Sequence, residues 1–324
     1  MKREKDRLRV GVVGVGYLGK FHAEKYARMA DVELVGVADT DRSRAEEIGG
    51  RMGVPVFTSH RDLIGKVDAV SVAVPTPNHF EVSRDFLLND ADVLIEKPIT
   101  TTLKEADELI DIADSRGNII QVGQLERFNP AVMALKGVID RPMFIESHRL
   151  AIFKNRCTDV SVVLDLMIHD IDIILNFVKA EVTQIHAAGI PAVSDHVDIA
   201  NARLQFATGC VANVTASRIS MKNERKIRLF QKDTYISVDF ASREITIVRK
   251  TDNGECGGLI PGMDIEQLCF TQGDALEEEL KSFVQSVKRR QPSAVTGAMG
   301  RDALRVALIV MEQIRDANHR FLSQ

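Results

Sequence analysis

The chain has 324 residues, of which 45% are hydrophobic and 27% are charged. This length exceeds what one hydrophobic core usually serves, so we expect two domains. The formal net charge of −4 gives no electrostatic reason to expect nucleic acid or an anionic membrane as a partner. No stretch approaches the roughly 18 consecutive apolar residues of a membrane-spanning helix. Four cysteines without a CxxC pair indicate neither a disulfide framework nor a zinc finger, so we expect a cytoplasmic protein.

The first 125 residues alternate between strand-like and helix-like segments. Apolar strand candidates lie at residues 8–13, 33–38, 67–74 and 93–95, and helical patterns lie at residues 18–29, 43–52 and 103–115. Strands separated by helices of this length form parallel sheets through right-handed crossovers. The pattern therefore predicts an α/β domain with a doubly wound parallel sheet.

A glycine-rich motif, GVGYLG at residues 14–19, follows the first predicted strand and opens the first predicted helix. Asp39 lies twenty residues after Gly19, at the end of the next predicted strand. This context is that of a dinucleotide-binding fingerprint, in which glycines let the backbone approach a pyrophosphate at a helix N-terminus. We therefore expect residues 1–125 to form a Rossmann domain that binds NAD. Its candidate cofactor-binding residues in this region are Gly14, Gly16, Tyr17, Leu18, Gly19 and Asp39.

Asp39 also bears on the choice between NAD and NADP. A carboxylate at this position accepts hydrogen bonds from the adenosine ribose and repels a 2′-phosphate, which favours NAD. Thr40, not an arginine, follows Asp39, but Arg42 and Arg44 are close in sequence and keep NADP as the less favoured cofactor. The competing interpretation is an ordinary glycine turn with a solvent-facing Asp39.

Two later predicted strands end in polar residues next to a proline. Asn78 follows Pro77, and Lys97 precedes Pro98. Because ligands of open α/β sheets bind beyond the carboxyl ends of the strands, these side chains are expected to project into the cofactor crevice. For Lys97 the alternative is a solvated surface lysine, and His79 is interpreted as a cap or surface residue. The candidate cofactor-binding residues at these strand ends are Thr76, Asn78, Glu96 and Lys97.

The second half predicts an α+β domain over residues 126–324 that binds substrate and mediates oligomerisation. Helical patterns lie at residues 127–140, 160–178, 275–288 and 301–317, and β-rich runs lie at residues 182–188, 199–206, 211–219, 226–230, 235–239 and 244–248. Asn129 followed by Pro130 is a typical helix start. Hairpin signals between the runs favour an open, mostly antiparallel sheet with helices on one face. A glycine-rich loop at residues 251–262 precedes the closing helices.

Four ionisable residues interrupt the otherwise apolar helix predicted at residues 160–178. Because each helical residue turns by about 100°, Asp165, His169 and Asp172 fall within about 60° of one another, whereas Asp170 points away. Buried Asp and His side chains must be paired or must line a cavity. The stripe is therefore a satisfied structural network, a divalent metal site or an acid–base site. No cysteine, second histidine or HExxH motif accompanies it, so acid–base chemistry is favoured over metal binding.

The favoured chemistry is alcohol oxidation, in which hydride leaves a carbinol carbon for nicotinamide and the hydroxyl proton goes to a base. His169 suits this base because an ordinary imidazole titrates near neutrality, with a pKa of about 6.5. Asp165, one turn earlier, is expected to orient the imidazole or to bind a neighbouring hydroxyl. Lys97 is expected to stabilise the developing oxyanion. The predicted catalytic residues are Lys97, His169 and Asp165.

Three motifs resemble those of the Gfo/Idh/MocA oxidoreductases: the glycine motif at residues 14–19, Glu96-Lys97-Pro98, and Asp165 followed four residues later by His169. The resemblance covers nearly the whole chain. It implies an NAD(P)-dependent enzyme of sugars, inositols or nucleotide sugars, with Lys97 and His169 as the catalytic pair. It also implies a homodimer or homotetramer in which the open sheet packs against a second subunit.

Residues 126–130, 165–175 and 197–203 look most like one branch of this family, which oxidises the 3-hydroxyl of UDP-N-acetylglucosamine. That branch supplies a keto-sugar for transamination toward a 2,3-diamino lipid A precursor. A diphosphate needs cations, and several arginines lie in the substrate half, although each could equally be a surface residue. The alternatives are an inositol or free-sugar dehydrogenase, or a catalytically silent NAD-binding regulator. The candidate substrate-binding residues are Arg127, Asn129, Arg156 and Asp172.

Overall fold

A computed structural model describes residues 7–153, 160–251 and 262–322 of the chain. The contacts between residues divide the chain into two compact units. The first unit comprises Met1–Leu125 and Leu276–Leu304, and the second comprises Glu126–Ala275 and Arg305–Gln324. Each unit contains one β-sheet.

The first unit contains a six-stranded sheet. Its strands are β1 (Leu8–Val13), β2 (Val32–Ala38), β3 (Val56–Phe57), β4 (Ala69–Val72), β5 (Asp92–Glu96) and β6 (Ile120–Gly123). The order across the sheet is β3-β2-β1-β4-β5-β6, and all neighbouring strands are parallel. The order reverses between β1 and β4, which is where ligands bind in sheets of this kind. The predicted doubly wound parallel sheet is therefore confirmed.

Four helices connect these strands: α1 (Gly19–Arg28), α2 (Arg42–Met52), α3 (His79–Leu87) and α4 (Leu103–Arg116). Polar side chains fix where two of them begin. The Asp41 carboxylate accepts a hydrogen bond from the backbone N–H of Arg44 at the start of α2. Thr102 and Glu105 form a reciprocal capping box at the start of α4. Such caps satisfy backbone N–H groups that lack a partner within the helix.

The second unit contains an eight-stranded sheet. Its strands are β7 (Phe144–Leu150), β8 (Val182–Ile190), β9 (Ile199–Phe206), β10 (Val211–Ser217), β11 (Glu224–Gln231), β12 (Thr234–Asp239), β13 (Glu244–Lys250) and β14 (Met263–Cys269). The order across the sheet is β14-β13-β12-β11-β7-β10-β9-β8. Strands β7 and β10 run parallel, and the other neighbouring pairs are antiparallel. The prediction of a mostly antiparallel sheet is confirmed, but β7 and β14 were missed.

Two helices pack against this second sheet. Helix α5 (Pro130–Ala134) contacts β12, and helix α6 (Ile168–Val178) contacts β7 and β10. Alternate residues of the strands are fully buried, as Leu204 on β9 and Leu229 on β11 illustrate. The long helix predicted at residues 127–140 is wrong in extent, because only five residues of it are α-helical.

Two long helices close the chain: α7 (Ala275–Arg289) and α8 (Gly297–Leu322). Phe283 on α7 is fully buried in the same hydrophobic core as β1, β2 and α1. For this reason Leu276–Leu304 group with the first unit, whereas the sequence analysis placed all of residues 126–324 in the second domain. None of the helices in the described part of the chain has both the length and the apolar character needed to cross a membrane.

Candidate active site

The glycine loop between β1 and α1 leaves room for a ligand. Gly14 has a φ of +81°, and a Cβ there would lie 2.7 Å from the carbonyl oxygen of Ala73. A Cβ on Gly19 would lie 1.8 Å from the carbonyl oxygen of Gly14, whereas a Cβ on Gly16 would meet nothing within 4 Å. Leu18, at the start of α1, provides no side-chain cap. Close packing therefore requires Gly14 and Gly19, and open space at Gly16 suits a pyrophosphate near the helix N-terminus.

Tyr17 and Leu18 of the motif face solvent. The side chains of Tyr17 and Leu18 are 64% and 38% exposed. The Tyr17 ring packs edge-to-face on Phe21, with 5.9 Å between ring centroids, and Lys20 Nζ lies 5.6 Å from the Tyr17 centroid. Both predicted cofactor residues thus border the glycine loop as exposed apolar surface.

Asp39 directly follows β2 and holds the glycine loop through its carboxylate. Its Oδ2 accepts a hydrogen bond of 2.9 Å from the backbone N–H of Val15, and its Oδ1 accepts one of 2.9 Å from Asp41. The Arg44 guanidinium lies 3.3 Å from both oxygens. Asp39 is buried, which contradicts the alternative of a solvent-facing residue. The carboxylate thus links the glycine loop to a nearby cation.

The segment after β4 forms a short 3₁₀ turn over Thr76–Asn78. The Asn78 backbone N–H donates a 2.9 Å hydrogen bond to the Pro75 carbonyl oxygen. Thr76 is half-buried and Asn78 is exposed. Both lie beyond the carboxyl end of β4, next to the point where the strand order reverses, as a cofactor site requires.

His79 was interpreted as a cap or surface residue, and the structure excludes the surface position. It begins α3 but is only 1% exposed. Its Nδ1 lies 2.8 Å from the carbonyl oxygen of Pro98, and its Nε2 lies 2.9 Å from that of Val74. Burial lowers the pKa of His79, and its two carbonyl contacts oppose this effect. The imidazole therefore ties the segment after β4 to the segment after β5.

Glu96, which ends β5, is buried and faces the interior of the first unit. Its Oε1 lies 3.0 Å from Nε2 of His22, a fully buried residue of α1. Burial works to raise the pKa of Glu96, but the hydrogen bond and charge of His22 and the charge of Lys97 lower it below its usual range. Glu96 was predicted to bind the cofactor, and its side chain contacts His22. Lys97, the next residue, is half-buried.

The segment that carries Asp165 and His169 is not one regular helix. Residues Val163–Met167 form a π-helical turn, and α6 begins at Ile168. A π turn widens the helix by one residue, so the angles predicted for residues 160–178 do not hold across it. Asp165 and His169 are both half-buried, whereas Met167 and Ile168 between them are fully buried. π turns of this kind occur frequently at functional sites.

Asp172 belongs to a buried ion pair and not to a polar stripe with Asp165 and His169. Its two carboxylate oxygens accept hydrogen bonds of 2.6 Å from Nε and Nη2 of Arg127. The exposed fractions of these side chains are 1% for Asp172 and 8% for Arg127. Arg127 also donates to Oδ1 of Asn176 at 3.2 Å. Arg127 and Asp172 were predicted to bind substrate, but the structure engages them with each other.

A second buried arginine holds the remaining carboxylate of the helix. Arg149 donates to Asp170 through Nε at 2.9 Å and Nη2 at 3.0 Å, and to Glu126 through Nη1 at 2.9 Å. Burial raises the pKa of Asp170, and the Arg149 charge opposes this rise. Sequence reasoning missed this network because Arg149 lies on β7, which was not predicted. The structural-network interpretation therefore holds for Asp170 and Asp172.

The other two predicted substrate residues are Asn129 and Arg156. Asn129 is buried and caps α5, because its Oδ1 accepts a 3.1 Å hydrogen bond from the backbone N–H of Ala131. Its Nδ2 donates to the carbonyl oxygen of Phe240 at 3.3 Å. This confirms the predicted cap and leaves Asn129 in a structural position. Arg156 lies outside the described residues.

A buried carboxylate also fixes the loop that precedes β9. The Oδ2 of Asp198 accepts hydrogen bonds of 2.7–3.0 Å from the backbone N–H groups of residues 192–194. Burial works to raise the pKa of Asp198, but these hydrogen bonds and that of the Ser194 hydroxyl outweigh it and lower the pKa to about 2. Arg218 lies 3.7 Å from Asp198 and donates to the carbonyl oxygen of Val160, just before the π turn.

Two family models match the chain. The model described as the oxidoreductase family with an NAD-binding Rossmann fold matches residues 8–124, and that of the GFO/IDH/MocA C-terminal domain matches residues 132–236. The chain belongs to the Gfo/Idh/MocA family. The resemblance seen in the sequence is thereby confirmed.

Individual members of this family are similar to the chain over nearly all of its length. A UDP-N-acetylglucosamine 3-dehydrogenase of Acidithiobacillus ferrooxidans is 37% identical over 98% of this chain and 99% of its own. A solved structure of that enzyme has a TM-score of 0.90 and 38% identity, and the match covers 95% of this chain and 97% of that one. A myo-inositol 2-dehydrogenase of Thermotoga maritima is 28% identical over 92% of this chain and 93% of its own.

As a Gfo/Idh/MocA protein, the chain is an NAD-dependent oxidoreductase, and the predicted cofactor is confirmed. The glycine loop and Asp39 fit this cofactor, because open space at Gly16 and an uncapped helix start accept a pyrophosphate. The described residues contain no group of three or more His, Cys, Asp or Glu side chains arranged to hold a metal ion.

Proposed function

We propose that this protein oxidises the 3-hydroxyl of UDP-N-acetylglucosamine and transfers the hydride to NAD. The observation that carries this proposal is the 37% identity to an enzyme named for that reaction, which extends over 98% of this chain and 99% of the relative. Similarity over both units matters, because residues 132–236 match the family's C-terminal domain and the substrate is expected to bind there.

In the proposed enzyme, the backbone of the glycine loop binds the pyrophosphate of NAD, and Asp39 binds the adenosine ribose. When bound, NAD would supply the hydride acceptor. Tyr17 and Leu18 cover the cofactor from the loop side, and Thr76 and Asn78 lie beyond β4 on the same edge of the sheet. Open space beside Gly16 supports this assignment.

The catalytic roles follow from the chemistry of each side chain. His169 accepts the proton of the substrate hydroxyl, since a neutral imidazole is a base near physiological pH. Asp165, on the π turn, orients the imidazole or a neighbouring substrate hydroxyl. Lys97 presents its ammonium group to the oxygen as negative charge develops there. Half-burial of all three side chains supports these roles, because it leaves each of them reachable by a substrate.

Substrate binding is assigned differently from the sequence prediction. Arg127 and Asp172 position α6, and Asn129 positions α5, because each of these side chains is engaged within the second unit. Arg156 is proposed to bind the diphosphate, as a guanidinium suits phosphate oxygens. Arg127, Asp172 and Asn129 are thus proposed to hold helices in place, and Arg156 is proposed to contact the substrate.

We further propose a cytoplasmic homodimer or homotetramer with a small nucleotide-sugar substrate and with neither nucleic acid nor a membrane as partner. The net charge of −4 supports the last two points. The 3-keto product would be consumed by an aminotransferase on a route to a diamino lipid A precursor, as the resemblance implies. Size-exclusion chromatography with light scattering tests the oligomeric state.

The proposal is tested by following the reduced-nicotinamide absorbance band with purified protein and NAD. The panel comprises UDP-N-acetylglucosamine, N-acetylglucosamine, UDP-glucose and myo-inositol. We expect the highest kcat/KM with UDP-N-acetylglucosamine and little activity with N-acetylglucosamine, which lacks the diphosphate. Preferential oxidation of myo-inositol would instead support the second candidate function, which the 28% identity to the Thermotoga maritima enzyme favours. No oxidation of any panel member would support an NAD-binding regulator.

A further inference from the structure

We infer that His22 and Glu96 are positioning residues for Lys97: the Glu96 carboxylate, bound by His22, is the buried counter-charge of the lysine ammonium and fixes the backbone at Lys97. This inference deepens the proposed function, since it rests on Lys97 acting as a cation. It assigns a role to two buried residues of the first unit that make no direct contact with the reacting atoms.

Glu96 uses its two carboxylate oxygens in different directions. Oε1 lies 3.0 Å from Nε2 of His22 on α1, and Oε2 accepts a 3.3 Å hydrogen bond from the backbone N–H of Lys97. His22 is fully buried, and Glu96 is 9% exposed. The carboxylate therefore connects the helix that follows the glycine loop to the residue that carries the catalytic ammonium group.

The site is built to enclose a carboxylate. A Cβ on Gly123, in the neighbouring strand β6, would lie 3.0 Å from Glu96 Oε2, so glycine leaves the space that the carboxylate fills. A charge buried in this way is tolerated only when partners stabilise it. The ionisable groups acting on Glu96 are His22 from α1, Lys97 from its own segment and His79 from α3.

The direction of the electrostatic effect follows from these partners. Nε2 of His22 lies beside Oε1 of Glu96 and the backbone N–H of Lys97 lies beside Oε2, so the carboxylate has a partner at each oxygen. The carboxylate charge lowers the free energy of the Lys97 ammonium relative to the neutral amine. His79 holds the next residue through the Pro98 carbonyl oxygen, so the backbone is fixed on both sides of the lysine. Glu96 thus has an electrostatic role in addition to a structural one.

The test measures the protonation of Lys97 directly and does not depend on enzymatic turnover. Intact protein is pulse-labelled with acetic anhydride across a pH series, and acetylation of Lys97 is quantified by mass spectrometry, because only the neutral amine reacts. The variants are Glu96→Gln, which removes the charge but keeps the shape, His22→Leu and His22→Gln. Tyr26→Phe is the matched control: Tyr26 lies on α1, as His22 does, and the substitution removes its buried 2.9 Å hydrogen bond to Ser71 on β4.

We expect Glu96→Gln to move the Lys97 labelling curve to lower pH by about one unit, and His22→Leu to move it in the same direction. His22→Gln, which keeps a donor for Glu96, should restore the parental curve, and Tyr26→Phe should leave it in place. An unchanged curve in folded Glu96→Gln would overturn the inference. If Glu96→Gln does not fold, an unchanged curve in His22→Leu would overturn it equally.

Kinetics with the substrate that the parent oxidises provide the second readout. Loss of the Glu96 charge should lower kcat about tenfold or more and should change the KM for NAD less. In the pH profile of kcat, the alkaline limb should move to lower pH. A parent protein inactive on the whole panel contradicts the proposed function but not the positioning role, because the labelling curves are read without turnover. If the Glu96 and His22 variants had a lower melting temperature but an unchanged Lys97 labelling curve, the role of His22 and Glu96 would be structural only.

Discussion

Arg127 binds Asp172 through two hydrogen bonds of 2.6 Å, and both side chains are buried. Asp172 lies on α6, three residues after the proposed base His169, whereas Arg127 precedes α5. The pair therefore fixes the rotation and height of the helix that presents the imidazole. Burial raises the pKa of Asp172, and the bidentate guanidinium opposes that rise, so the carboxylate depends on its partner.

Removal of one member of this pair should destabilise the protein more than removal of both. Arg127→Met leaves a buried carboxylate without its counter-ion, which typically costs about 3–5 kcal/mol of unfolding free energy. Arg127→Met with Asp172→Leu should recover most of that loss. Urea denaturation of the two single variants and the double variant measures the coupling. Arg42→Ala, which removes an exposed ion pair with Glu46, is the control and should show no measurable change. Strictly additive effects of the Arg127 and Asp172 substitutions on the free energy of unfolding would show that the two side chains do not stabilise each other.

His169→Ala should lower kcat by about 10²–10⁴-fold, the usual contribution of a general base. Binding of NAD should survive, because the predicted cofactor residues lie in the first unit. Turnover by reduced-nicotinamide absorbance and NAD affinity by calorimetry separate the two effects. His186→Ala, a histidine on β8 of the same unit, is the matched control. A His169→Ala variant that turns over like the parent would remove His169 from the role of base.

Asp39→Asn should relax the preference for NAD over NADP. The substitution keeps an oxygen acceptor for the glycine loop but removes the charge that repels a 2′-phosphate. Arg44, whose guanidinium lies 3.3 Å from the Asp39 oxygens, would then be able to bind the 2′-phosphate. We expect the ratio of kcat/KM for NADP to that for NAD to rise about tenfold or more, or ~1.4 kcal/mol. The double variant with Arg44→Ala should lose most of the gain. An unchanged ratio would show that Asp39 does not govern cofactor choice.

Asp198 should contribute to stability in acid. The pKa of Asp198 in the folded protein is about 2, below the usual range of an unfolded aspartate. The stabilisation by its carboxylate is therefore complete above about pH 4 and is lost as the pH falls toward 2. Asp198→Asn should therefore be less stable than the parent at neutral pH and should show a flatter loss of stability between about pH 4 and pH 2. Urea denaturation at several pH values tests this. Parallel stability curves would contradict the assigned pKa shift.

The sequence predicted the type of the first sheet and four of its six strands, because those four are apolar runs separated by helices and glycine turns, whereas β3 and β6 were missed. It also located the glycine loop, Asp39 and Lys97, since their positions at strand ends are local in sequence. It did not reveal strand β7, in which Glu146, His148 and Arg149 dilute the apolar alternation.

The partners of the buried carboxylates could not be predicted in the same way. Helical periodicity reports which residues share a face, but Arg127 and Asp172 are 45 residues apart, and no local pattern pairs them. The π turn at Val163–Met167 has no recognisable sequence signal, yet it changes the angle between Asp165 and His169. Of the four ionisable residues in this segment, Asp170 and Asp172 therefore belong to buried ion pairs, and Asp165 and His169 are half-buried.

The central claim is that hydride leaves carbon 3 of the sugar of UDP-N-acetylglucosamine and reaches NAD. It is tested most directly by incubating the enzyme with NAD and UDP-N-acetylglucosamine deuterated at carbon 3, then analysing the reduced cofactor by mass spectrometry. We expect one deuterium in each reduced cofactor and a 3-keto product. Reduced cofactor without deuterium would place the oxidised carbon elsewhere, and no reduction at all would contradict the assigned substrate.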